Sequence, residues 1–195
     1  MTTLQNFGVP LGGGEGRGGI LQPKQKHKFR VIVTNFGIAA GSIALTQQVM
    51  TVSRPNVNFN PVTLHAYNST AYIGGKPEWQ SISLTVRDDV TNSVSRLVGA
   101  QIQKQMNFFQ QTTMLAASNY KFQMLLHTMD GGDDGILEEW FLEGCMLESV
   151  NYESFDYSSG EPMTIEMGIR YDNATQSGGL MPLVPQPSTI GPFAT

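Results

Sequence analysis

Apolar and polar side chains alternate along several short segments of this 195-residue chain. Successive side chains of a β-strand point to opposite faces, so alternation is typical of strands with one buried and one exposed face. It is clearest at Phe29–Val33, Ile82–Val86 and Met163–Ile169. Further strands are predicted at residues 43–54, 57–68, 120–128, 136–143 and 145–153, with residues 130–135 turning one hairpin. The pattern predicts a mainly β fold, an antiparallel sandwich or barrel.

One segment has a different period. Across residues 90–111 apolar side chains recur at steps of three and four, which predicts a single amphipathic helix. Asp88 or Asp89 can accept backbone N–H bonds at its start, where the helix dipole favours negative charge. The polar face of this helix carries Arg96 and Lys104 as its ionised groups.

Glycine and proline are concentrated at both ends of the chain. Residues 1–27 and 173–195 show no apolar periodicity, which predicts two extended arms that become ordered only against a neighbour. Residues 28–172 then form one β domain. The 40% hydrophobic content of the whole chain supports a core of that size.

The composition favours a protein that works through contacts. Charged residues make up 14% of the chain, against roughly a quarter in typical domains, so much of the surface is polar but neutral. Cys145 is the only cysteine and cannot close an internal disulfide, which is consistent with a reducing cytoplasm. The sequence shows no secretory leader and no apolar run of roughly 20 residues, so we expect no membrane partner.

Charge is divided along the chain. Eleven bases and four acids precede Asp130, a net +7, whereas twelve acids and one base follow from it, a net −11. Complementary patches of this kind favour head-to-tail association and register in a repeating assembly. The basic cluster at residues 24–30 is more typical of a protein contact than of a nucleic-acid site.

The motifs for chemistry are weak. Gly14–Gly19 fits the G-x-G-x-x-G pattern but lacks the flanking strand and helix that a dinucleotide site needs. Asp130, Asp133 and Asp134 could gather around calcium, but the EF-hand spacing fails and a solvated turn is favoured. The three histidines lie on separate segments, with no nucleophile spaced to pair with them. We therefore expect no enzyme, no metal and no cofactor.

The run Lys76–Asp89, passing into the predicted helix, resembles the tail tube proteins of contractile-tailed, T-even-like bacteriophages, the myoviruses. The likeness extends from about Phe29 to Tyr171 and includes Pro55–Phe59 and residues 141–157. It rests on the ordered combination of these segments.

This resemblance implies a structural subunit of a phage tail tube. Six copies would form a ring whose inner sheets merge into one barrel, and stacked rings would form a conduit for DNA ejection inside a contractile sheath. The implied partners are other copies of the chain, the tail sheath protein, the baseplate and tail terminator proteins, the tape measure protein and DNA passing through the lumen. The implied location is the virion tail, after assembly in the host cytoplasm.

Two sets of residues are expected to carry contacts outside the ring. Segment 47–72 holds more apolar area than one hairpin can bury, which predicts contact with the neighbouring ring. The candidates for this inter-ring contact are Met50, Val52, Val57, Phe59 and Leu64. The basic helix face predicts a weak, salt-sensitive contact of Arg96 and Lys104 with the sheath.

A third set concerns the lumen. Alternation along residues 163–170 turns Glu166 away from the core. If this sheet belongs to the inner barrel, as the resemblance implies, Glu166, Glu148 and Glu153 line the lumen and repel DNA. The alternative is that these acids pair with bases of a neighbouring subunit, because Arg170 shares the face of Glu166.

Two other functions remain open from the sequence. One is the inner tube of a bacterial contractile injection system or a type VI-like secretion system, which shares the architecture. The other is a monomeric β-barrel that binds a small ligand.

Overall fold

The computed structural model describes residues 24–38, 42–44, 47–132, 135–178 and 181–182. The motif Gly14–Gly19, two of the three clustered aspartates (Asp133 and Asp134) and most of both predicted arms lie outside these residues. In chain order, the strands are β1 (Phe29–Thr34), β2 (Ser42–Ala44), β3 (Val49–Val52), β4 (Val57–Phe59), β5 (Val62–Ala66), β6 (Ser69–Ile73), β7 (Pro77–Trp79), β8 (Ile82–Arg87), β9 (Met106–Asn107), β10 (Thr112–Thr113), β11 (Phe122–Met129), β12 (Ile136–Tyr152), β13 (Thr164–Arg170), β14 (Asn173–Gly178) and β15 (Met181–Pro182). Helix α1 spans Ser93–Gln105, and a 3-10 turn spans Ala117–Asn119.

Strand β12 joins two antiparallel layers. Its residues 136–145 pair with β11 and β14, whereas residues 146–152 pair with β13. The first layer has the order β2-β1-β11-β12-β14-β15, and we call it the six-stranded layer. The second has the order β12-β13-β8-β3, and we call it the four-stranded layer. Both layers contribute to one core, as in a β-sandwich. Its fully buried side chains include Val31, Val33, Met124, Leu142, Leu84, Val86, Ile165 and Met167.

The change of layer within β12 occurs at a glycine. Gly144 has φ +66°, a left-handed conformation that side chains disfavour. A Cβ added there would collide with the carboxylate of Asp172. That carboxylate lies 2.5 Å from Lys121 Nζ. The sequence analysis divided β12 into two strands around this residue, and the structure shows one continuous strand.

Helix α1 is shorter than predicted. Asn92 has φ +59° and Met106 is extended, so the helix begins and ends inside the predicted range 90–111. Val90 and Phe109, which the apolar period assigned to the helix, are fully exposed. The helix packs on the core through Val94 and Val98.

Gln101 attaches α1 to the two loops beside it. Its side chain is fully buried. The Gly37 N–H donates to Gln101 Oε1 at 2.9 Å, and Gln101 Nε2 donates to the Tyr120 carbonyl at 2.7 Å. Both ends of the amide are therefore satisfied, as a buried polar side chain requires.

The sheet extends beyond the predicted domain boundary at residue 172. Residues 173–178, which the sequence analysis assigned to the C-terminal arm, form β14 and pair with Glu138–Glu143 of β12. The six-stranded layer therefore includes the first part of that arm.

A buried carboxylate connects three distant parts of the chain. Glu138 is 4% exposed and accepts hydrogen bonds from Lys24, Arg54, Trp140 and Gln176 at 2.5–2.9 Å. Burial alone raises the pKa of Glu138, but the hydrogen bonds from Lys24 and Trp140 and the charge of Arg54 outweigh it and lower the pKa below 4.5. The ionised form is therefore the one that the fold stabilises.

We expect Glu138→Gln to reduce the free energy of unfolding at pH 7 by at least about 1.5 kcal/mol, because hydrogen bonds to a charged group are lost. A lowered folded-state pKa gives stability that is present above about pH 4.5 and lost as the pH falls through the folded value. The difference between wild type and variant should therefore shrink below pH 4.5 in urea unfolding. Glu143→Gln, an exposed position on the same strand, should change stability by less than about 0.5 kcal/mol. Equal effects of the two substitutions would contradict the role of Glu138.

We expect Gly144→Ala to destabilise the domain by about 1–3 kcal/mol, because alanine disfavours this conformation and its Cβ displaces Asp172. Urea unfolding of the monomer measures the effect. Gly160→Ala is the control, since no atom lies within 4 Å of its added Cβ. Similar free energies for both variants would show that the corner tolerates a side chain.

Candidate assembly surfaces

Residues 57–79 form a projecting arm. Strand β4 pairs with β7, and β5 pairs with β6 to form its tip, so among the described residues the arm strands pair only with one another. Every residue of β5 and β6 is exposed. The arm is held at its base by Trp79, whose ring lies 5.7 Å from that of Tyr171, and by a 2.9 Å bond from the Gln80 N–H to the Asn56 carbonyl.

The arm carries much exposed apolar area. The large apolar side chains that it leaves exposed by about half or more are Phe59, Val62, Leu64, Tyr67, Tyr72 and Ile73. Contiguous exposed apolar surface of this kind marks an interaction site. Three of the predicted inter-ring residues, Val57, Phe59 and Leu64, lie on the arm, whereas Met50 and Val52 lie on β3 of the four-stranded layer.

The outward face of the four-stranded layer is polar. Because Ile165, Met167 and Ile169 are buried, the alternate residues of β13 face away from the core. With their cross-strand neighbours, this face comprises Thr51, Ser83, Thr85, Arg87, Met146, Ser149, Asn151, Thr164, Glu166, Gly168 and Arg170, of which Met146 has an apolar side chain. It carries Glu166 but also Arg87 and Arg170. The predicted acidic surface is therefore one of mixed charge.

The other two predicted lumen residues lie at irregular positions. Glu148 is exposed at a register shift between Leu147 and Ser149. Glu153 follows the end of β12, and its Oε2 accepts bonds from the Thr164 N–H at 3.0 Å and the Thr164 hydroxyl at 2.9 Å. Glu153 thus closes the β12–β13 hairpin, a role that the sequence analysis did not assign.

Both edges of the four-stranded layer are open within the part of the chain that the structure describes. One edge is β3, and the other is the second half of β12. The Gln105 side chain occupies the β12 edge at Leu147, where Gln105 Nε2 donates to the carbonyl at 2.9 Å and the Leu147 N–H donates to Gln105 Oε1 at 2.8 Å. Among the residues that the structure describes, no side chain occupies the edge at residues 149–152 in this way.

A hollow adjoins each open edge. A cleft of about 700 Å³, which we call the β3 cleft, lies between β3 and residues 24–29 and is also lined by Leu126 and Thr128. A shallower groove of about 390 Å³, the β12 groove, lies between the end of α1 and residues 147–152. The β3 cleft is lined both by apolar side chains, Phe29, Met50, Val52 and Leu126, and by basic ones, Lys24, Lys26, Lys28 and Arg54.

The start of helix α1 confirms the predicted role of Asp89. The N–H groups of Ser93 and Val94 donate to Asp89 Oδ1 at 2.9 and 3.2 Å. The Thr91 hydroxyl also donates to this carboxylate. The Thr91 bond and the bonds from Ser93 and Val94 lower the pKa of Asp89 to about 2 despite the opposing effect of desolvation.

The two predicted sheath-facing bases have different environments. Arg96 is exposed. Lys104 is half-buried, and its Nζ lies 3.3 Å from both the carbonyl and the Oδ1 of Asn35. Lys104 is therefore engaged by the subunit itself, which leaves Arg96 as the exposed member of the pair.

An exposed apolar hairpin that was not predicted from the sequence follows α1. Residues 106–115, which we call the Phe108 hairpin, contain the short pair β9–β10. Its exposed apolar side chains are Phe108, Phe109, Met114 and Leu115. Two adjacent phenylalanines in a stretch without charge, residues 105–120, were the available signal.

Other site types have little support among the described residues. No three His, Cys, Asp or Glu side chains of this part of the chain gather where they could hold a metal ion. Asp130 Oδ1 accepts the Gly132 N–H at 2.7 Å, as in a polar turn. The one helix that the structure describes is too short and too polar to cross a membrane.

No protein-family model matches the sequence, and no curated protein sequence matches it. Solved structures match its fold. A chain in the six-fold symmetrised cryo-EM structure of the anti-feeding prophage baseplate superposes with a TM-score of 0.64 at 10% identity, covering 83% of this chain and 100% of that one. A chain in the extended sheath-tube complex of the PVC extracellular contractile injection system gives 0.56 at 14% identity, covering 80% and 92%.

A phage structure matches to a similar degree. The SPP1 tail tube gives a TM-score of 0.54 at 11% identity, and the match covers 80% of both chains. At these identities the likeness establishes the fold. The mainly β architecture with one helix, predicted from the sequence as that of phage tail tube proteins, is therefore confirmed, and it is shared with chains from contractile injection systems.

Proposed function

We propose that this chain is a structural subunit of a tail tube, in which copies join side by side into rings and the rings stack into a conduit. The observation that carries the proposal is the four-stranded layer, which has two open edges and a polar outward face. A sheet with open edges is a template for pairing with another chain. A subunit that is meant to remain alone covers or closes such edges.

The strand directions suit closure into a continuous barrel. All neighbours in the four-stranded layer are antiparallel, so its two outer strands, β3 and β12, run in opposite directions. The β12 edge of one copy can therefore join the β3 edge of the next as another antiparallel pair. Such a heterologous contact generates a ring when the rotation closes. The polar outward face then lines the lumen.

The comparisons support the same architecture. The matched chains come from a six-fold symmetrised baseplate, a sheath-tube complex and a tail tube. By analogy, we propose six copies per ring, a surrounding sheath and end contacts with baseplate and terminator proteins. The exposed Arg96 supplies the sheath contact.

We propose DNA as the cargo of the lumen, with the tape measure protein filling it before ejection. Glu166 repels phosphate and its cross-strand neighbours Thr85 and Asn151 are neutral, whereas Arg87 and Arg170 on the same face attract it, so the wall of mixed charge offers DNA no continuous basic surface. An injection-system tube that carries protein is the second candidate. The match to a chain of the PVC extracellular contractile injection system supports it, because that chain shares this fold. Nucleic acid recovered from intact particles would distinguish the two.

We expect a Thr51→Cys/Asn151→Cys double variant to give a ladder of covalent oligomers when assembled protein is treated with a short bis-maleimide. The two positions lie on the outward face of opposite edges and meet if neighbouring copies pair there. The native thiol does not interfere, because burial raises the pKa of Cys145 to about 12. Denaturing electrophoresis reads the ladder, and its longest band gives the number of copies per ring.

Each single-cysteine variant serves as a control and should give no ladder beyond the dimer. A monomer as the only species, at every concentration tested and by negative-stain imaging, would overturn the tube proposal.

We expect Phe59→Asp to leave the domain folded and the rings intact but to prevent stacking. Phe59 is 64% exposed, so its replacement costs little within the subunit, whereas a carboxylate in an apolar contact between rings is strongly unfavourable. Electron microscopy and sedimentation measure tube length, and circular dichroism checks the fold. Glu78→Gln, an exposed change at the base of the arm, is the control. Tubes of normal length from the Phe59 variant would exclude the arm from stacking.

A further inference from the structure

We propose that the Phe108 hairpin of one copy docks in the β3 cleft of the next copy and so locks neighbouring subunits of a ring together. The inference rests on the proposed tube function and adds a side-chain contact to the pairing of strand edges. Four features support it: the shape of the cleft, the exposure of the hairpin, their positions in the fold and the charge around them.

The β3 cleft is an opening in the side of the sandwich. Its apolar lining is formed by Phe29 and Leu126, from the six-stranded layer, and by Met50 and Val52, from β3. Its volume of about 700 Å³ exceeds that of two aromatic side chains. An open apolar hollow of this size loses stabilising contacts unless another group fills it.

The Phe108 hairpin has the chemistry of an occupant for this cleft. Phe108 is 57% exposed, Phe109 97% and Leu115 103%, so these side chains gain little from their own subunit. Residues 105–120 contain no charged residue, so the hairpin can enter an apolar cleft without burying an ion. Aromatic side chains that fill a pocket are typical anchors of protein interfaces.

The fold brings the two features to the same junction. Met106 and Phe108 line the β12 groove together with residues 147–150 and Tyr152, so the hairpin lies beside the open edge of β12. The cleft lies beside the open edge of β3. When the β12 edge of one copy pairs with the β3 edge of the next, the hairpin and the cleft face each other.

Charge supports this orientation. The basic side chains that line the cleft are Lys24, Lys26, Lys28 and Arg54. Lys24 and Arg54 also form ion pairs with Glu138 of their own subunit. Glu148 and Phe108 both line the β12 groove. When two copies pair, Glu148 of one copy approaches these basic side chains of the next. Attraction between Glu148 of one copy and the basic side chains at the cleft of the next favours one register of the heterologous contact. In this arrangement Glu148 is an interface residue and not a lumen residue.

The test mixes two single-cysteine variants, Phe108→Cys and Met50→Cys, under assembly conditions and adds a short bis-maleimide. We expect a covalent dimer in the mixture and much less of it with either variant alone. Phe155→Cys mixed with Met50→Cys is the control, because Phe155 is 88% exposed but lies in the loop after β12.

We also expect Phe108→Ser/Phe109→Ser to raise the concentration needed for assembly roughly tenfold or more, with Phe155→Ser near wild type.

The outcomes separate this inference from the tube proposal. If the Thr51–Asn151 ladder forms but the Phe108–Met50 dimer does not, rings exist and the hairpin does not occupy the cleft. If neither product forms and the protein stays monomeric, the tube proposal itself fails. A Phe108/Phe109 variant that assembles like wild type would also overturn the docking.

Discussion

The ionised carboxylate of Glu138 is the interaction on which the arrangement of the chain depends. A buried carboxylate is tolerated only when charged and hydrogen-bonding partners replace its water. Here the partners come from the segment before β1, from the segment that leads into the projecting arm, from β12 itself and from β14. One desolvated charge thus joins three segments that are distant in sequence to β12.

Much of the fold could be predicted from the sequence because local periodicity is strong where one face is buried. The alternation at β1, β8 and β13 identified buried positions that the structure confirms, except Met163, which precedes β13 and is 39% exposed. The prediction was weakest where a segment has no buried face. Residues 57–68 were predicted as one strand, but they form the two strands β4 and β5. No buried face marks where one strand ends and the next begins, because their pairing with residues 69–79 is set by turns and not by a core. The helix was overextended because Val90 and Phe109 continue the apolar period yet lie on exposed turns.

The candidate site depended more on tertiary contacts than on local sequence. Glu138, Trp140 and Leu142 are alternate residues of β12 and therefore share one face of the strand. This position was a signal in the sequence, but Glu138 was counted only as one of the twelve acids. Lys104 looked free on a helical wheel, but Asn35, which is distant in sequence, approaches its ammonium group. The division of charge along the chain did not become a division between faces, because the four-stranded layer combines two strands from each half, β3 and β8 with β12 and β13, and each strand contributes to both faces. Which strand edges of the four-stranded layer stay open likewise depends on the strand order, and local sequence does not determine that order.

The passage of β12 through both layers has a mechanical consequence. In most sandwiches, two sheets are held together by side-chain packing and can shear past each other at modest cost. Here a single backbone is hydrogen-bonded into both sheets and turns between them at Gly144. Sliding one layer against the other would require the rupture of ladder hydrogen bonds on β12, so the subunit behaves as a stiff block. A hollow cylinder assembled from such blocks would resist ovalisation when force is applied along its axis.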